Sequence, residues 1–410
     1  MFFFEINPEQ VQDKSYHFNA VQNKNITIDP VKPSLSTHSA FSVEELFEKI
    51  ELNSGFRPTL GIIFSSVALG IPHLAEQLKS SGFPVFGSST AGEILVHVDD
   101  SPMREQSCVC CLMDLDPSHF SVRLFEKGSD SGFDLGTQIG EWGSSIFTTP
   151  AFIIALSGLK TDAESVITGI ASACPADTPL YGGIAGDDSE FKNNYVFSEQ
   201  GHSTNGVVVL VLDRLHADIS GIATSGWAGV GSEMIATGSE GNVLFSLNGR
   251  PAVDIVREYL SVSNEELVQV GVNFPFLVRR PDGSEVLRTF LSADFNEGSL
   301  TFGGTIPKES HVRFSSSFGP ETIAKSIDDL RAFHRSSQTA DLVLVFSCMA
   351  RHRAAGRLVN DEINEIARLW KAPAIGFFTY GEIGHTLHGK SDFYNENLCT
   401  VLLNFSDGSP

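Results

Sequence analysis

GSSTAGEI at residues 87–94 returns in altered form as YGGIAGDD at 181–188 and as GFFTYGEIG at 376–384. Each stretch follows an apolar, β-branched run and a segment with helical periodicity, a pattern that predicts a strand–helix–strand unit. The apolar runs are TLGIIFSS (59–66), AFIIALS (151–157) and DLVLVFS (341–347). The paired strands of such units are expected to be parallel, so the glycine–acid loops should emerge at strand carboxyl ends, where open α/β sheets bind ligands.

Between the second and third units the pattern changes to that of antiparallel strands. Residues 205–245 and 270–315 contain strand-like runs separated by turns, and Asp282-Gly283 is a hairpin signal. NGRPAVDIVREYL (248–260) has helical spacing instead. We therefore predict the α/β class, as a layered α/β sandwich with mixed sheets, repeated strand–helix–strand units and antiparallel hairpins.

The chain has 410 residues, which exceeds the ~100–200 residues of a typical single domain. We divide it into an irregular N-terminal arm at 1–37, a first module at 38–247 and a second module at 248–405. Ser42 with Glu45 has the spacing of a capping box and predicts a helix start.

Composition excludes several classes of protein. Lys and Arg number 28 against 50 Asp and Glu, and the net charge of −22 disfavours binding to nucleic acid or to anionic membranes. The start MFFFEINPEQ lacks the features of a signal peptide, and no apolar run is long enough to span a bilayer. Six unevenly spaced Cys do not suggest a disulfide framework. We expect a cytoplasmic protein.

The glycine–acid loops are the first candidate ligand contacts. Their glycines permit positive φ or close backbone approach, and their carboxylates can accept hydrogen bonds from an ammonium or hydroxyl group. The alternative is that the acids bond to N–H groups of their own turns. The candidates are Gly92, Glu93, Gly186, Asp187, Asp188, Gly381 and Glu382.

A second candidate is the stretch SCMARHRAAGR (347–357), which we expect to be a loop at a strand end. Arg351 offers a planar fork for a ligand carboxylate or phosphate, with His352 beside it; the alternative is pairing with surface acids. Cys348 would have a lowered pKa beside arginines and could be a nucleophile, or it is a packed thiol. Cys108, Cys110 and Cys111 mark a buried strand rather than a zinc site.

The three loops, together with FSCMARHRAAG (346–356) and GSEGNVLFSLNGRPAVDIVREYL (238–260), resemble FIST domain proteins of the stand-alone sensory type. The resemblance covers about 40–400, with 38–247 as the FIST N-terminal module and 248–405 as the C-terminal module. It implies a ligand-binding sensory protein of signal transduction, with amino acids among the proposed ligands.

One branch of the family is described as bacterial haem-binding nitric-oxide sensors that act on a partner histidine kinase. The covalent C-x-x-C-H haem signature is absent here, so haem would be non-covalent, with His352, His385 or His388 on the iron. No kinase, cyclase or F-box segment occurs within the 410 residues, so the output is expected to pass through a histidine kinase or another signalling protein.

Three hypotheses follow, in this order. The first is a sensor that binds a small polar ligand, an amino acid or carboxylate, without a cofactor or catalytic residues. The second is a haem-based nitric-oxide sensor, and the third is an enzyme that uses Cys348. Phosphate-binding and nucleophile-elbow motifs are absent from the sequence.

Overall fold

The computed structural model describes residues 32–53, 55–96, 102–158, 162–271, 273–317, 319–385 and 391–406. Of the expected N-terminal arm, residues 1–31 lie outside these ranges, and the described chain enters its first strand at Leu35. None of the helices in these ranges is long and apolar enough to cross a bilayer.

The first unit alternates strands and helices. Its elements are β1 (Leu35–Ala40), α1 (Val43–Glu51), β2 (Leu60–Ser65), α2 (Ile71–Leu78), β3 (Val85–Ser89), β4 (Glu93–Val96), β5 (Met103–Arg104) and β6 (Cys108–Met113). Ser42 caps α1, because its hydroxyl accepts a hydrogen bond from the Glu45 N–H at 3.1 Å. The predicted helix start is confirmed.

The second unit repeats this order. Its elements are β7 (Phe120–Glu126), α3 (Gly132–Ile146), β8 (Pro150–Leu156), α4 (Ala163–Ser172), β9 (Leu180–Ile184), β10 (Val196–Ser198), β11 (Gly201–Ser203) and β12 (Gly206–Asp213).

The third unit opens with β13 (Ala217–Thr224) and is then interrupted by an insertion. The insertion contains β14 (Ala228–Glu240), β15 (Val243–Leu247), β16 (Arg250–Pro251), α5 (Ala252–Leu260), α6 (Asn264–Gly271), β17 (Phe276–Arg279), β18 (Glu285–Arg288), β19 (Phe290–Asp294), β20 (Ser299–Phe302) and β21 (His311–Ser316). Its strand pairs are antiparallel, and Asp282-Gly283 joins β17 to β18, as predicted.

The third unit then resumes. Its remaining elements are α7 (Pro320–His334), β22 (Leu342–Cys348), α8 (Met349–Ala355), α9 (Val359–Trp370), β23 (Ala374–Thr379), β24 (Glu382–Gly384), β25 (Asp392–Tyr394) and β26 (Leu398–Phe405). The expected loop at 347–357 is wrong in its main part, because residues 349–355 form helix α8 directly after β22.

The strands that flank the second helical segment of each unit pair in parallel, as predicted. These pairs are β2 with β3, β8 with β9, and β22 with β23. The strand that closes each unit then pairs antiparallel with the first strand of that pair. The α/β class with mixed sheets is confirmed.

Three six-stranded sheets have one strand order. Sheet I is β1-β6-β2-β3-β10-β11, sheet II is β7-β12-β8-β9-β24-β25, and sheet III is β13-β26-β22-β23-β4-β5. In each sheet the last two strands come from another unit: the second unit completes sheet I, the third completes sheet II, and the first completes sheet III. The exchange is therefore cyclic. Sheet III contains strands from both sides of residue 248. The predicted boundary between modules at that residue therefore does not separate one sheet from another, and the division stays a prediction.

The inner faces of the three sheets enclose one hydrophobic core. Phe64 of sheet I lies 4.7 Å from Phe377 and 6.4 Å from Phe346 of sheet III, between ring centroids, and Ile153 represents sheet II in the same core. Helices cover the outer faces of the sheets. Burial on both faces explains why the strands are continuously apolar.

The three cysteines of strand β6 lie on both faces of sheet I. Cys111 belongs to the central core, whereas Cys108 and Cys110 pack on the opposite face with helices α1 and α2. All three thiols are free and buried.

A buried ion pair attaches the insertion to the second unit. The Arg288 guanidinium is fully buried and donates to the Glu164 carboxylate of α4. Glu164 also accepts hydrogen bonds from Arg280 at 3.2 Å and from the Thr305 N–H at 2.6 Å. The Glu164 carboxylate therefore accepts hydrogen bonds from three residues of the insertion.

We expect Glu164→Ala to lower the free energy of unfolding by about 3–5 kcal/mol, because it leaves the Arg288 charge buried without its carboxylate. Urea denaturation measures this change. The control is Glu258→Ala, which removes an exposed partner of Arg250 and should cost less than about 1 kcal/mol. Equal losses in the two variants would contradict the role assigned to Glu164.

Candidate functional site

The three glycine–acid loops meet at the carboxyl ends of the parallel strands. We call this region the strand-end junction and define it as residues 89–93, 184–188 and 378–382. Each loop bonds to a strand end of another unit: the Ala91 N–H donates to the Phe378 carbonyl at 2.9 Å, that of Ile184 to Gly381 at 2.8 Å, and that of Gly186 to Ser89 at 3.0 Å. In these loops the chain thus passes from one sheet to another.

The glycines are required where the loops pass closely. Gly92 has φ of 124°, which other residues rarely adopt. A Cβ on Gly186 would lie 2.3 Å from the Ala91 nitrogen, and one on Gly381 would lie 2.3 Å from Cζ of Phe393. The prediction that these positions need glycine is supported by their packing.

Glu93 is fully buried at the start of β4. Its carboxylate accepts hydrogen bonds from the Thr90 hydroxyl and from the Ser107 N–H and hydroxyl, the latter two at 3.1 and 2.6 Å. Burial raises the pKa of Glu93 to about 7; the bonds from Ser107 and Thr90 oppose that rise, and the nearby Asp188 charge adds to it. The carboxyl group is occupied within the protein.

Glu382 has the same environment in the third unit. It accepts from the Thr379 hydroxyl and from the Asn397 N–H at 3.1 Å, and it is also fully buried. Burial, and then the neighbouring Glu396, raise the pKa of Glu382 well above its usual range. The pattern T-x-G-E at 90–93 and 379–382 is the sequence signal for these threonine partners.

The two acids of the second unit differ from each other. Asp187 accepts hydrogen bonds from the N–H groups of residues 191–193, at 2.6–3.0 Å, and from the Tyr380 hydroxyl. Asp188 is half-buried and accepts from the Ser66 hydroxyl at 2.6 Å, and burial raises its pKa. Asp187 therefore shows the alternative given for these acids, bonding to N–H groups of its own turn, whereas Asp188 bonds to a serine of the first unit.

Arg351 is neither a free clamp nor a surface residue. It is fully buried on α8 and its guanidinium donates to the Glu362 carboxylate, which is buried as well. Further donations reach the carbonyls of Ser225 and Glu396, and the guanidinium lies 5.0 Å from the centroid of the Trp227 ring. The Arg351 guanidinium, which was expected to bind a ligand, is thus hydrogen-bonded to other residues of the protein.

Cys348 is buried and free, which is the packed-thiol alternative given for it. Burial, and then the charges of Glu382 and Glu396, raise the pKa of its thiol well above the usual range. A hydrogen bond from the Arg351 backbone N–H opposes this rise without outweighing burial, and the Arg351 guanidinium is paired with Glu362. The group is therefore held as a thiol, which is the poorly nucleophilic form.

His352 packs against the glycine–acid loop of the third unit. Its ring stacks on Phe378 with centroids 4.5 Å apart, and Glu105 is a charged neighbour. His388 lies outside the described residues.

His385 is also engaged. Its Nε2 shares a hydrogen bond with the Ser391 hydroxyl at 2.6 Å, and its ring lies 5.0 Å from that of Tyr181. The haem hypothesis for His352 and His385 stays a prediction.

The structure brings Cys348, Arg351 and Glu382 together, and it adds two residues that sequence reasoning missed. Glu362 lies on the next helix, and Glu396 lies before β26, where only tertiary packing places it. Burial raises the pKa of Glu396 to about 8. Its Oε2 is buried and has no hydrogen-bond partner among the residues that the structure describes.

Comparison with protein families gives two consecutive matches. The model of the FIST N domain matches residues 59–250, and that of the FIST C domain matches residues 252–385. The boundary between the two matches lies in β16, next to the sequence division at residue 248.

Curated relatives include two proteins from strains of Mycobacterium tuberculosis and one from Mycobacterium bovis, all named as uncharacterized. The tuberculosis protein of strain H37Rv is 27% identical over 233 residues, which cover 52% of this chain and 59% of the relative. The bovis protein is 27% identical over 231 residues, or 52% of this chain and 58% of the relative. The chain thus spans somewhat more than half the length of these relatives.

The raised pKa of Glu93 predicts how stability depends on pH. The stabilising contribution of the protonated group is fully present below about pH 4.5 and is lost as pH rises through about 7, since the folded chain holds a proton that the unfolded chain releases. Glu93→Gln keeps the shape of the protonated acid and cannot ionise. From pH 4.5 to 8 its stability should therefore rise by about 2–3 kcal/mol relative to the unsubstituted protein.

Urea denaturation at several pH values measures the difference. Glu76→Gln, which changes an exposed acid of α2, is the control and should run parallel to the unsubstituted protein. A parallel profile for Glu93→Gln would contradict the assignment.

The Arg351–Glu362 pair predicts a loss of stability. Arg351→Ala should lower the free energy of unfolding by about 3–5 kcal/mol, because Glu362 is left buried without its partner. Replacing both residues, Arg351→Met with Glu362→Leu, should restore part of this loss. Arg353→Ala on the same helix is the exposed control. A loss below about 1 kcal/mol in Arg351→Ala would refute the structural role of the pair.

Proposed function

Since this chain belongs to the FIST family, we propose that it is a sensory protein that binds a small polar ligand, of amino-acid or carboxylate character, and signals through a partner protein. FIST domains are associated with sensing in signal transduction. The observation that carries the proposal is the match of both domains in consecutive order over residues 59–385.

The geometry supports a role in transmitting a signal. The strand-end junction joins all three units through backbone hydrogen bonds. Arg351 also donates to the carbonyls of residues 225 and 396, which follow β13 and precede β26 at one end of sheet III. A ligand that shifts one unit therefore acts on strands in two sheets. In this proposal the junction couples the units, and any ligand that contacts its acids has to replace their internal hydrogen bonds.

The partner is proposed to be a histidine kinase or another signalling protein. The surface is strongly acidic, with a net charge of −22, so a partner with a basic contact face is favoured by electrostatic attraction.

We expect members of a panel of amino acids and small carboxylates to raise the melting temperature of protein shown by mass spectrometry to be ligand-free. A ligand that binds the folded state alone stabilises it by mass action, by about 2.7 kcal/mol at 100 times Kd. Glycerol at the same concentrations is the control for non-specific stabilisation. No shift with any member of the panel would count against the proposed function.

A further inference from the structure

The turn between β25 and β26 has a counterpart in the first unit. Glu396 precedes the residue whose N–H donates to Glu382, and Gln106 precedes the residue whose N–H donates to Glu93. Glu396 and Gln106 both have a left-handed backbone, with φ of 58° and 51°. The two turns are therefore equivalent in backbone conformation and in their bond to a loop acid, and they differ in the side chain at this position.

Contacts from the insertion cover the turn of the third unit. Thr289, between β18 and β19, donates its hydroxyl to Oε1 of Glu396 at 2.9 Å and its N–H to the Asn395 side chain at 3.3 Å. Glu396 is fully buried, whereas Gln106 in the first unit is exposed. The ionisable side chain thus lies at the covered turn and the neutral one at the exposed turn.

The second carboxyl oxygen of Glu396 has no donor. Its Oε2 is buried, and no hydrogen bond reaches it from the part of the chain that the structure describes. A negative charge on a buried oxygen without donors is costly, so the neutral, protonated form is favoured. Burial raises the pKa of Glu396 to about 8, while the hydrogen bond from Thr289 and the charge of Arg351 oppose that rise.

Two acidic groups of the third unit lie near Glu396. They are the Glu382 carboxyl group on β24 and the Cys348 thiol at the end of β22. Burial raises the pKa of both groups, and the charge of Glu396 adds to the rise. Ionisation of Glu396 therefore places a negative charge beside groups that themselves disfavour it.

The arginines nearby are already paired with other acids. On α8 the Arg351 guanidinium donates to the Glu396 carbonyl at 3.3 Å, and its charge is paired with Glu362 of α9. In the insertion, the Arg288 guanidinium is paired with Glu164. Their positive charges are thus shared with other carboxylates.

We propose that Glu396 is a pH-sensitive switch between the insertion and the third unit. While its carboxyl group is protonated, the insertion stays closed over residues 395–397. Once the proton is lost, water stabilises the charged group, and water reaches it when the contacts of Thr289 with this turn open. The chain then responds to alkaline pH, whichever ligand its proposed sensory function involves.

The proton released on opening sets the expected pH dependence. Glu396 loses its proton at about pH 8 in the closed state and near its ordinary pKa of 4.5 once water surrounds it. Opening therefore releases one proton between these two values. Its equilibrium constant should rise about tenfold per pH unit in this window and level off above about pH 8.

Hydrogen exchange measured by mass spectrometry, between about pH 6 and 10, tests the switch at the peptide that contains Thr289. After correction for intrinsic exchange rates, the opening constant of this peptide should exceed that of the peptide containing β8, and it should show the expected rise with pH. In Glu396→Gln, which keeps the shape of the protonated acid and cannot ionise, the rise should be smaller by this factor of about ten per pH unit.

The matched control is Gln106→Glu, which places a carboxyl group at the equivalent exposed turn and should leave exchange at Thr289 unchanged. A second variant, Thr289→Val, keeps Glu396 and removes the hydrogen bond that favours its charged form. The pH at which the opening constant levels off should therefore be higher in Thr289→Val than in the unsubstituted protein.

An equal pH dependence in Glu396→Gln and the unsubstituted protein would overturn the switch. So would an opening constant at Thr289 no larger than that of β8, because opening would then be global unfolding. If Glu396→Gln does not fold, Thr289→Val decides, and an unchanged levelling pH in that variant refutes the inference. The ligand panel tests the proposed sensory function separately.

Discussion

The cyclic exchange of strands is the constraint on which the rest of the structure depends. A unit alone would leave the outer edge of β3, β9 or β23 unpaired, with its N–H and carbonyl groups exposed. The exchange covers each of these edges with a hairpin from another unit. The three sheets must therefore assemble around one core, and the loops that carry the chain from sheet to sheet must cross at one end.

The buried acids are a consequence of those crossings. Where the chain leaves one sheet for another, backbone N–H groups lose their strand partners, and a carboxylate can accept from several of them. Glu93 does this for Ser107, Glu382 for Asn397, and Asp187 for residues 191–193. One backbone requirement explains why an acid recurs after glycine in all three units. Burial of these carboxyl groups disfavours their charged form, and the pKa values of the buried glutamates are raised for that reason.

The sequence predicts those parts of this arrangement that are local. Periodicity predicts each strand–helix–strand unit, and Ser42 with Glu45 predicts the start of α1, because neighbours in sequence determine both. It does not predict which unit completes which sheet, since edge pairing depends on contacts far apart in the chain. The ligand-binding role predicted for Arg351 does not hold for the same reason. That hypothesis treated the Arg351 charge as unpaired, but its partner Glu362 comes close only when helices α8 and α9 pack together.

The order in which the strands occur along the chain has a consequence for biosynthesis. Sheet I is complete once residue 203 has been made, because its last strand is β11. Sheet II waits for β25, which ends at Tyr394, and sheet III waits for β26, which ends at Phe405. Until Asp392 and the residues after it have been made, sheets II and III are therefore still open, with unpaired strand edges. The edges that need protection during synthesis are those that β25 and β26 complete.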